Sequence, residues 1–327
     1  MRGRGERVLV LGATGFVGRH LVPELEARGH DVLAGARDVI AARVREPGRR
    51  WVHADLDQPD TLAAALEGVA TAYYLVHGMA GGPGYELRER EGAERFVHAA
   101  AAAGVGRIVY LGGVRPAGAP SPHLRSRLTT GAILRGGGVP TLELRASMII
   151  GAGGGSWRIV RDLSARLPFM VLPRWLQSRS QPIAIADVVG ALADAAALPP
   201  HVVGVYDLPG PEILSAADIL RRVSRILGTR LVVVDVPLVT PRLSSYWIQL
   251  VTRADMAVAR ELVEGLRSDL VSRDRAFWTV APRALTPFDD AARAALAGEE
   301  ASVSPASRRV EHTVRRIGLH QRAGGAP

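Results

Sequence analysis

The chain has 327 residues, 47% hydrophobic and 22% charged, with 41 basic against 32 acidic side chains for a formal net charge of +9. Every basic side chain is an arginine, and lysine, asparagine and cysteine are absent. These absences exclude Schiff-base and Walker-type lysine chemistry, a Tyr-x-x-x-Lys pair, disulfides, thiolate nucleophiles and metal ligands, and Asn-linked glycosylation; what remains rests on His, Arg, Asp, Glu, Ser, Thr, Tyr or a bound cofactor.

The balance of apolar and charged residues is that of a globular protein with one large domain or two modest ones. Residues 1–10 carry a net +2 and residues 301–327 a net +4, which leaves only +3 for 11–300. The basicity therefore sits in solvated tails, and no nucleic acid is expected as a partner. No stretch of 18 apolar residues and no signal-like apolar segment occurs, so no transmembrane segment and a cytoplasmic location are expected.

In chain order, RVLVL (7–11) reads as a strand, followed by GATGFVG and a helix with Val17, Leu21 and Leu25 at helical spacing to Arg28. HDVLAGAR (30–37), WVHAD (51–55) and ATAYYLVHG (70–78) are the next strands, with a helix at 59–69 that Asp60 is expected to cap and Gly68 to end. The glycine-rich turn 78–84, with the character of a lid, precedes a long helix to about residue 104. RIVYLGGV (107–114) is the fifth strand, 121–137 the next helix and PTLELRASMIIG (140–151) the sixth strand. This rhythm specifies an α/β fold: a doubly wound parallel sheet covered on both faces.

Beyond 151 the rhythm loosens. Helices are expected at 156–166, within 181–197, after Ser215 to Gly228, and over 243–265, with a strand at 231–237. The expected division is a nucleotide-binding core over 1–151, a mixed segment over 152–300 that completes the core and forms a smaller lobe, and a basic, poorly ordered tail over 301–327.

The sharpest motif is Gly12-x-x-Gly15-x-x-Gly18, set between the first strand and the first helix. Gly12 permits the tight turn, Gly15 lets the main chain approach a pyrophosphate, and Gly18 lets helix and strand pack closely. Thr14, Phe16 and Val17 complete this turn, and the helix N-terminus offers free N–H groups. A dinucleotide is the expected cofactor. Arg37, at the end of the second strand, can fork onto a ribose 2′-phosphate, which favours NADP(H). NAD(H) remains possible, because Asp38 next to it can take a 2′-hydroxyl. Asp55 and Leu56 are placed to meet the adenine, and Val76, His77 and Gly78 to lie beside the nicotinamide-side ribose.

With these segments in place the chain resembles the short-chain dehydrogenase/reductase superfamily in its atypical, NmrA-like and extended forms, and most of all the bacterial NAD(P)H-binding, epimerase-like oxidoreductases. LGATGFVG (11–18), the Asp55-Leu56 pair, AAAAAGVGRIVYLGG (99–113), SPHLRSR (121–127), QPIAIADVV (181–189), YDLPGPEILSAADIL (206–220) and ELVEGLRSDLVSRD (261–274) carry the likeness. The resemblance implies a Rossmann core with a small C-terminal α+β lobe on the substrate side. It also exposes a departure: where the superfamily places a Ser or Thr and then a Tyr-x-x-x-Lys pair, this chain has Gly112 and Gly113, then His123 and Arg127.

His123 and Arg127 lie four apart and share one helix face. The histidine is a candidate acid, the pair is a candidate for positioning substrate or cofactor, and a non-chemical helix surface is the third reading. Ser147, Met148, Ile149 and the glycine-rich 151–155 are expected across the cleft, and Trp157 and Trp175 either line it or fill the core between lobes. The expected activity is NADPH-dependent hydride transfer to a small carbonyl, quinone or enone. The alternatives are an NADP(H)-binding regulator or assembly protein without turnover, and a tailoring isomerase or epimerase. No metal is expected, since the histidines are scattered. The protein is expected to be a monomer or homodimer.

Overall fold

The computed structural model describes residues 5–77, 84–166, 169–173, 178–229, 232–236, 268–272 and 274–302. Gly78, most of the 78–84 turn, Trp175, the 243–265 helix and all but the first residues of the 301–327 tail lie outside the described residues. Strands and helices alternate through the first half: β1 (Arg7–Leu11), α1 (Phe16–Ala27), β2 (Asp31–Ala36), α2 (Val39–Arg45), β3 (Trp51–His53), α3 (Pro59–Leu66), β4 (Thr71–Tyr74), α4 (Tyr85–Ala102), β5 (Arg107–Gly113), α5 (Pro122–Gly136) and β6 (Thr141–Ala146). The second half contributes β7 (Ile149–Ile150), α6 (Gly155–Arg166), β8 (Phe169–Pro173), β9 (Arg179–Ser180), β10 (Ile183–Ala184), α7 (Ile185–Ala197), β11 (Gly204–Asp207), β12 (Leu214–Ser215), α8 (Ala216–Ile226), β13 (Val232–Val236), α9 (Ala276–Val280) and α10 (Phe288–Ser302).

Seven strands form one parallel sheet in the order β11-β6-β5-β4-β1-β2-β3. This is the doubly wound Rossmann arrangement, and its strand order reverses between β1 and β4. Alternate residues of each strand enter opposite cores. Val8, Val10, Val32, Ala34, Tyr73, Val109 and Leu111 face one cluster, whereas Leu9, Leu33, Ala72, Tyr74, Ile108 and Tyr110 face the other. Covering both faces explains why each strand reads as nearly continuous apolar sequence, and each fully buried aliphatic side chain contributes about 1.5–3 kcal/mol.

Helices α1 and α7 pack against each other on the first face, and Arg107 secures the end of α7 by donating to the carbonyls of Ala195 (2.7 Å), Leu198 (2.7 Å) and Pro199 (2.6 Å). A third, smaller core holds Ile150, Trp157, Ala184, Leu214, Ile219, Val223 and Phe288. Around it stand α6, α8 and α10 and the short strand pairs β7–β10 and β9–β12, and β8 pairs with β13 in a separate two-stranded sheet.

Several local expectations need correction. Helix α3 is not capped by Asp60: Gln58 occupies the cap without a side-chain bond, Pro59 starts the helix, and Asp60 lies in its first turn. Gly68 does end that segment, with φ +67°. The sixth strand stops at Ala146 and resumes only as β7, since Ser147 turns to donate to the Gln181 carbonyl at 2.8 Å. Helix α2 and the edge strand β11 had no counterpart in the sequence reading. Ser215 is the α8 cap as expected, in a reciprocal capping box with Asp218. Among the described residues no helix is long and apolar enough to cross a membrane, and no group of three or more His, Asp or Glu gathers as a metal site.

Candidate functional site

The reversal of strand order between β1 and β4 opens a crevice at the carboxyl edge of the sheet, and the glycine turn lies at its floor. Gly12 has φ +87°, and a Cβ there would come within 2.8 Å of the Leu75 carbonyl oxygen. At Gly18 a Cβ would meet the Gly12 oxygen at 2.3 Å and the Ala13 Cα at 2.7 Å. Those two glycines are therefore required by the fold itself. Gly15 differs, because an added Cβ would meet only the Gly12 oxygen, at 3.1 Å, and the other side of the residue is open. Gly15 is also the N-cap of α1 and has no side chain to satisfy the first-turn amides. An exposed, uncapped helix start with free N–H groups fits the phosphates of a dinucleotide. Across the crevice the Phe16 ring packs beneath Gly151 and Gly154, so the 151–155 loop borders the same turn.

Arg37 is exposed at the end of β2 and makes no hydrogen bond or ion pair with a described residue. Asp38 is committed elsewhere: as the N-cap of α2, it accepts from the Ala41 amide at 2.8 Å. Of these two side chains, which the sequence leaves as competitors, only Asp38 has a described partner. Asp55 accepts from the Asp57 amide at 3.0 Å and from the Gln58 side chain at 3.3 Å, holding the turn before α3, while Leu56 packs over Gly92 of α4. Val76 and His77 follow β4 into the crevice.

At the end of β5, Gly113 leaves room for α5. A Cβ there would meet Leu124 Cδ1 at 2.6 Å and lie 3.7 Å from Arg127 Nε. Ser121 caps α5 through the Leu124 amide and Pro122 begins it, so His123 falls in the first turn and Arg127 one turn later. Arg127 Nη2 donates to the Leu111 carbonyl at 2.8 Å, and Tyr110 donates its hydroxyl to the Arg127 carbonyl at 3.0 Å. Two further atoms of this face, His123 Nδ1 and Arg127 Nε, are buried without a hydrogen-bond partner among the described residues.

Desolvation first, and then the Arg127 charge, holds His123 down to about 4. Desolvation, Arg127 and His123 hold His77 well below the ordinary histidine range. The structure therefore gathers His77, His123 and Arg127 into one neighbourhood in which both imidazoles are neutral near pH 7 and the guanidinium carries the charge.

Behind this face lies a feature the sequence reading missed. Glu143 of β6 is fully buried, paired with Arg145 at 2.7 Å and with Arg135 of α5. A Cβ at Gly112 would come within 2.9 Å of its Oε1, and one at Gly131 within 2.4 Å of its Oε2. The signal in the sequence was two charges spaced i, i+2 in the otherwise apolar strand TLELRA. Trp157 is fully buried in the third core and does not line the crevice.

A family profile described as NAD(P)H-binding matches residues 12–161. The 3-diazoavenalumate denitrifying reductase of a Streptomyces species is 30% identical over 258 residues, which cover 68% of this chain and 82% of that protein. The 3-beta-hydroxysteroid dehydrogenase of Mycolicibacterium neoaurum is 36% identical over 114 residues, 32% of this chain and 31% of that protein. The match thus spans about a third of the length of the first curated relatives. Among solved structures, the Citrobacter triphenylmethane reductase complexed with NADP(H) has the same fold, with a TM-score of 0.70 at 18% identity over 88% of this chain and 99% of that one.

Proposed function

We propose that this chain, which belongs to the NAD(P)H-binding Rossmann-fold oxidoreductase superfamily, is an NADPH-dependent reductase of a small carbonyl, quinone or enone, in the NmrA-like and epimerase-like branch. The observation that carries the reading is that the segment after β4 lies against both sites: Leu75 and Val76 pack on Gly12 of the open, uncapped turn, and His77 feels the half-buried His123–Arg127 face at the end of β5. When bound, the reduced nicotinamide supplies the hydride. All else in the reading belongs to the chain's own side chains.

Amides of the Gly12–Gly18 turn, including those of Thr14, Phe16 and Val17, hold the pyrophosphate. Arg37 is free of described partners and pairs with the 2′-phosphate, which gives NADP(H) its preference over NAD(H). The segment Asp55–Leu56 borders the adenine, and Val76–His77 the inner ribose. His123 is neutral at physiological pH and so has no imidazolium proton to give. Its role is to position the acceptor, together with Arg127, while the acceptor takes its proton from water. The elements beyond residue 151 form the substrate-side wall.

The glycines at the end of β5, in place of a hydroxyl side chain, favour a second reading: a cofactor-binding regulator without turnover. Purified protein, NADPH and a panel of quinones and enones separate the two. Loss of NADPH absorbance above the rate without protein supports the reductase. Tight NADPH binding with no turnover on any acceptor assigns the regulator, and absence of dinucleotide binding overturns both.

A further inference from the structure

The unsatisfied atoms at positions 123 and 127 define a class of acceptor. Arg127 is partly buried and forms no ion pair with any described residue; one amino group is spent on the Leu111 carbonyl, and its Nε–H has no acceptor among the described residues. One helical turn away, His123 Nδ1 is buried and likewise has no hydrogen-bond partner among the described residues. A buried donor left unmade costs about 1–3 kcal/mol, more when charged, and a buried cation is ordinarily matched by an anion. The same arginine lies over Gly113, at the strand end that faces the crevice, where its Nε stands 3.7 Å from the position of an added Cβ. His77 and His123 carry no charge at neutral pH, while the charges of Glu89 and Arg145 act with that of Arg127 on the adjoining Tyr110 hydroxyl. The guanidinium thus has no carboxylate paired with it among the described residues.

We infer that this pair is a receptor for an anionic oxygen on the acceptor, so that the preferred substrates carry a carboxylate that seats on Arg127 Nε with His123 closing the other side. The inference rests on the reductase reading for its placement beside the nicotinamide, but its test does not depend on turnover. Arginine suits the task because its charge is permanent and its fork matches a carboxylate.

The test is a calorimetric titration of the full chain, with and without NADPH, by cinnamate and by its neutral isostere cinnamamide. The expected result is binding of the acid at least about tenfold tighter than of the amide, with that preference abolished in Arg127→Gln and partly kept in Arg127→Lys. His123→Gln, which keeps a polar tip, should weaken the acid less than Arg127→Gln does. Equal affinity for acid and amide overturns the inference, as does an acid preference that survives Arg127→Gln. If Arg127→Gln instead weakens NADPH more than the acid, the arginine serves the cofactor ribose and the inference also fails. Failure of the wild-type chain to bind NADPH, with the acid preference intact, would sink the reductase reading and leave the anion site standing.

Discussion

The Glu143 carboxylate occupies the space that a side chain at Gly131 would need, and this contact ties β6 to α5, the helix that carries His123 and Arg127. Replacing a helical glycine by alanine ordinarily stabilises by up to about 1 kcal/mol. Here the new Cβ would lie 2.4 Å from Oε2 and 2.6 Å from the carboxyl carbon of a side chain held by two arginines. Gly131→Ala is therefore expected to destabilise by about 1–3 kcal/mol, measured by urea unfolding. A neutral or stabilising outcome would mean the carboxylate is not where it is described.

Gly15 and Gly18 should separate binding from folding. A Cβ at Gly18 meets main-chain atoms that cannot yield, so Gly18→Ala should lose about 2–3 kcal/mol of stability together with dinucleotide affinity. Gly15→Ala meets one oxygen at 3.1 Å and otherwise open space. It should stay within about 1 kcal/mol of the parent while NADPH affinity, read by fluorescence titration, falls at least about tenfold as the methyl group blocks the phosphate approach.

The neighbours Arg37 and Asp38 should fail in different assays. Asp38 caps α2, so Asp38→Ala should cost about 1 kcal/mol of stability and leave the ratio of NADPH to NADH affinity unchanged. Arg37→Asp should leave unfolding unchanged and lower that ratio by about tenfold or more. A shift in the ratio from the Asp38 variant would show that the carboxylate leaves its cap to read the ribose.

Stability should fall on mild acidification. A histidine held at about 4 in the folded chain but near 6.5 when unfolded takes up its proton first in the unfolded state. The stabilisation is complete above pH 6.5 and is lost as pH drops from there toward 4, by up to about 1.4 kcal/mol per unit for each such group. His77 acts in the same sense. Carboxylates held low by arginines, such as Asp194 and Glu212, lose their contribution only below the ordinary carboxylate range, so the window above pH 5 belongs to the histidines. The melting temperature should therefore decline from pH 7 to 5, and His123→Gln should flatten that decline.

The first strand–turn–helix unit was legible because its rules are local. A positive φ at Gly12 and the close approach at Gly18 act between residues at most six apart, and the glycine spacing records both. Helix α2 was invisible because Ile40 and Val44 point to solvent, 80% exposed, and give no core-facing stripe to read. Strand β11 joins the sheet beside β6, about sixty residues earlier in the chain, and no local pattern announces such a partner. Glu143 was passed over because charge in a strand says nothing of which arginines and glycines surround it once the sheet forms.

By itself the amino-acid order determined the parallel layered architecture, the phosphate-cradling turn and the loss of the usual hydroxyl, tyrosine and lysine, since each depends on residue type and short spacing. Only the tertiary structure decided which side chains are free to meet a ligand. It spent Asp38 on a helix cap, buried Trp157 in a core, and left Arg127 Nε and His123 Nδ1 without a hydrogen bond to any described residue. The physical reason is that desolvation and hydrogen-bond satisfaction are properties of three-dimensional neighbourhoods, which residues distant in the chain supply.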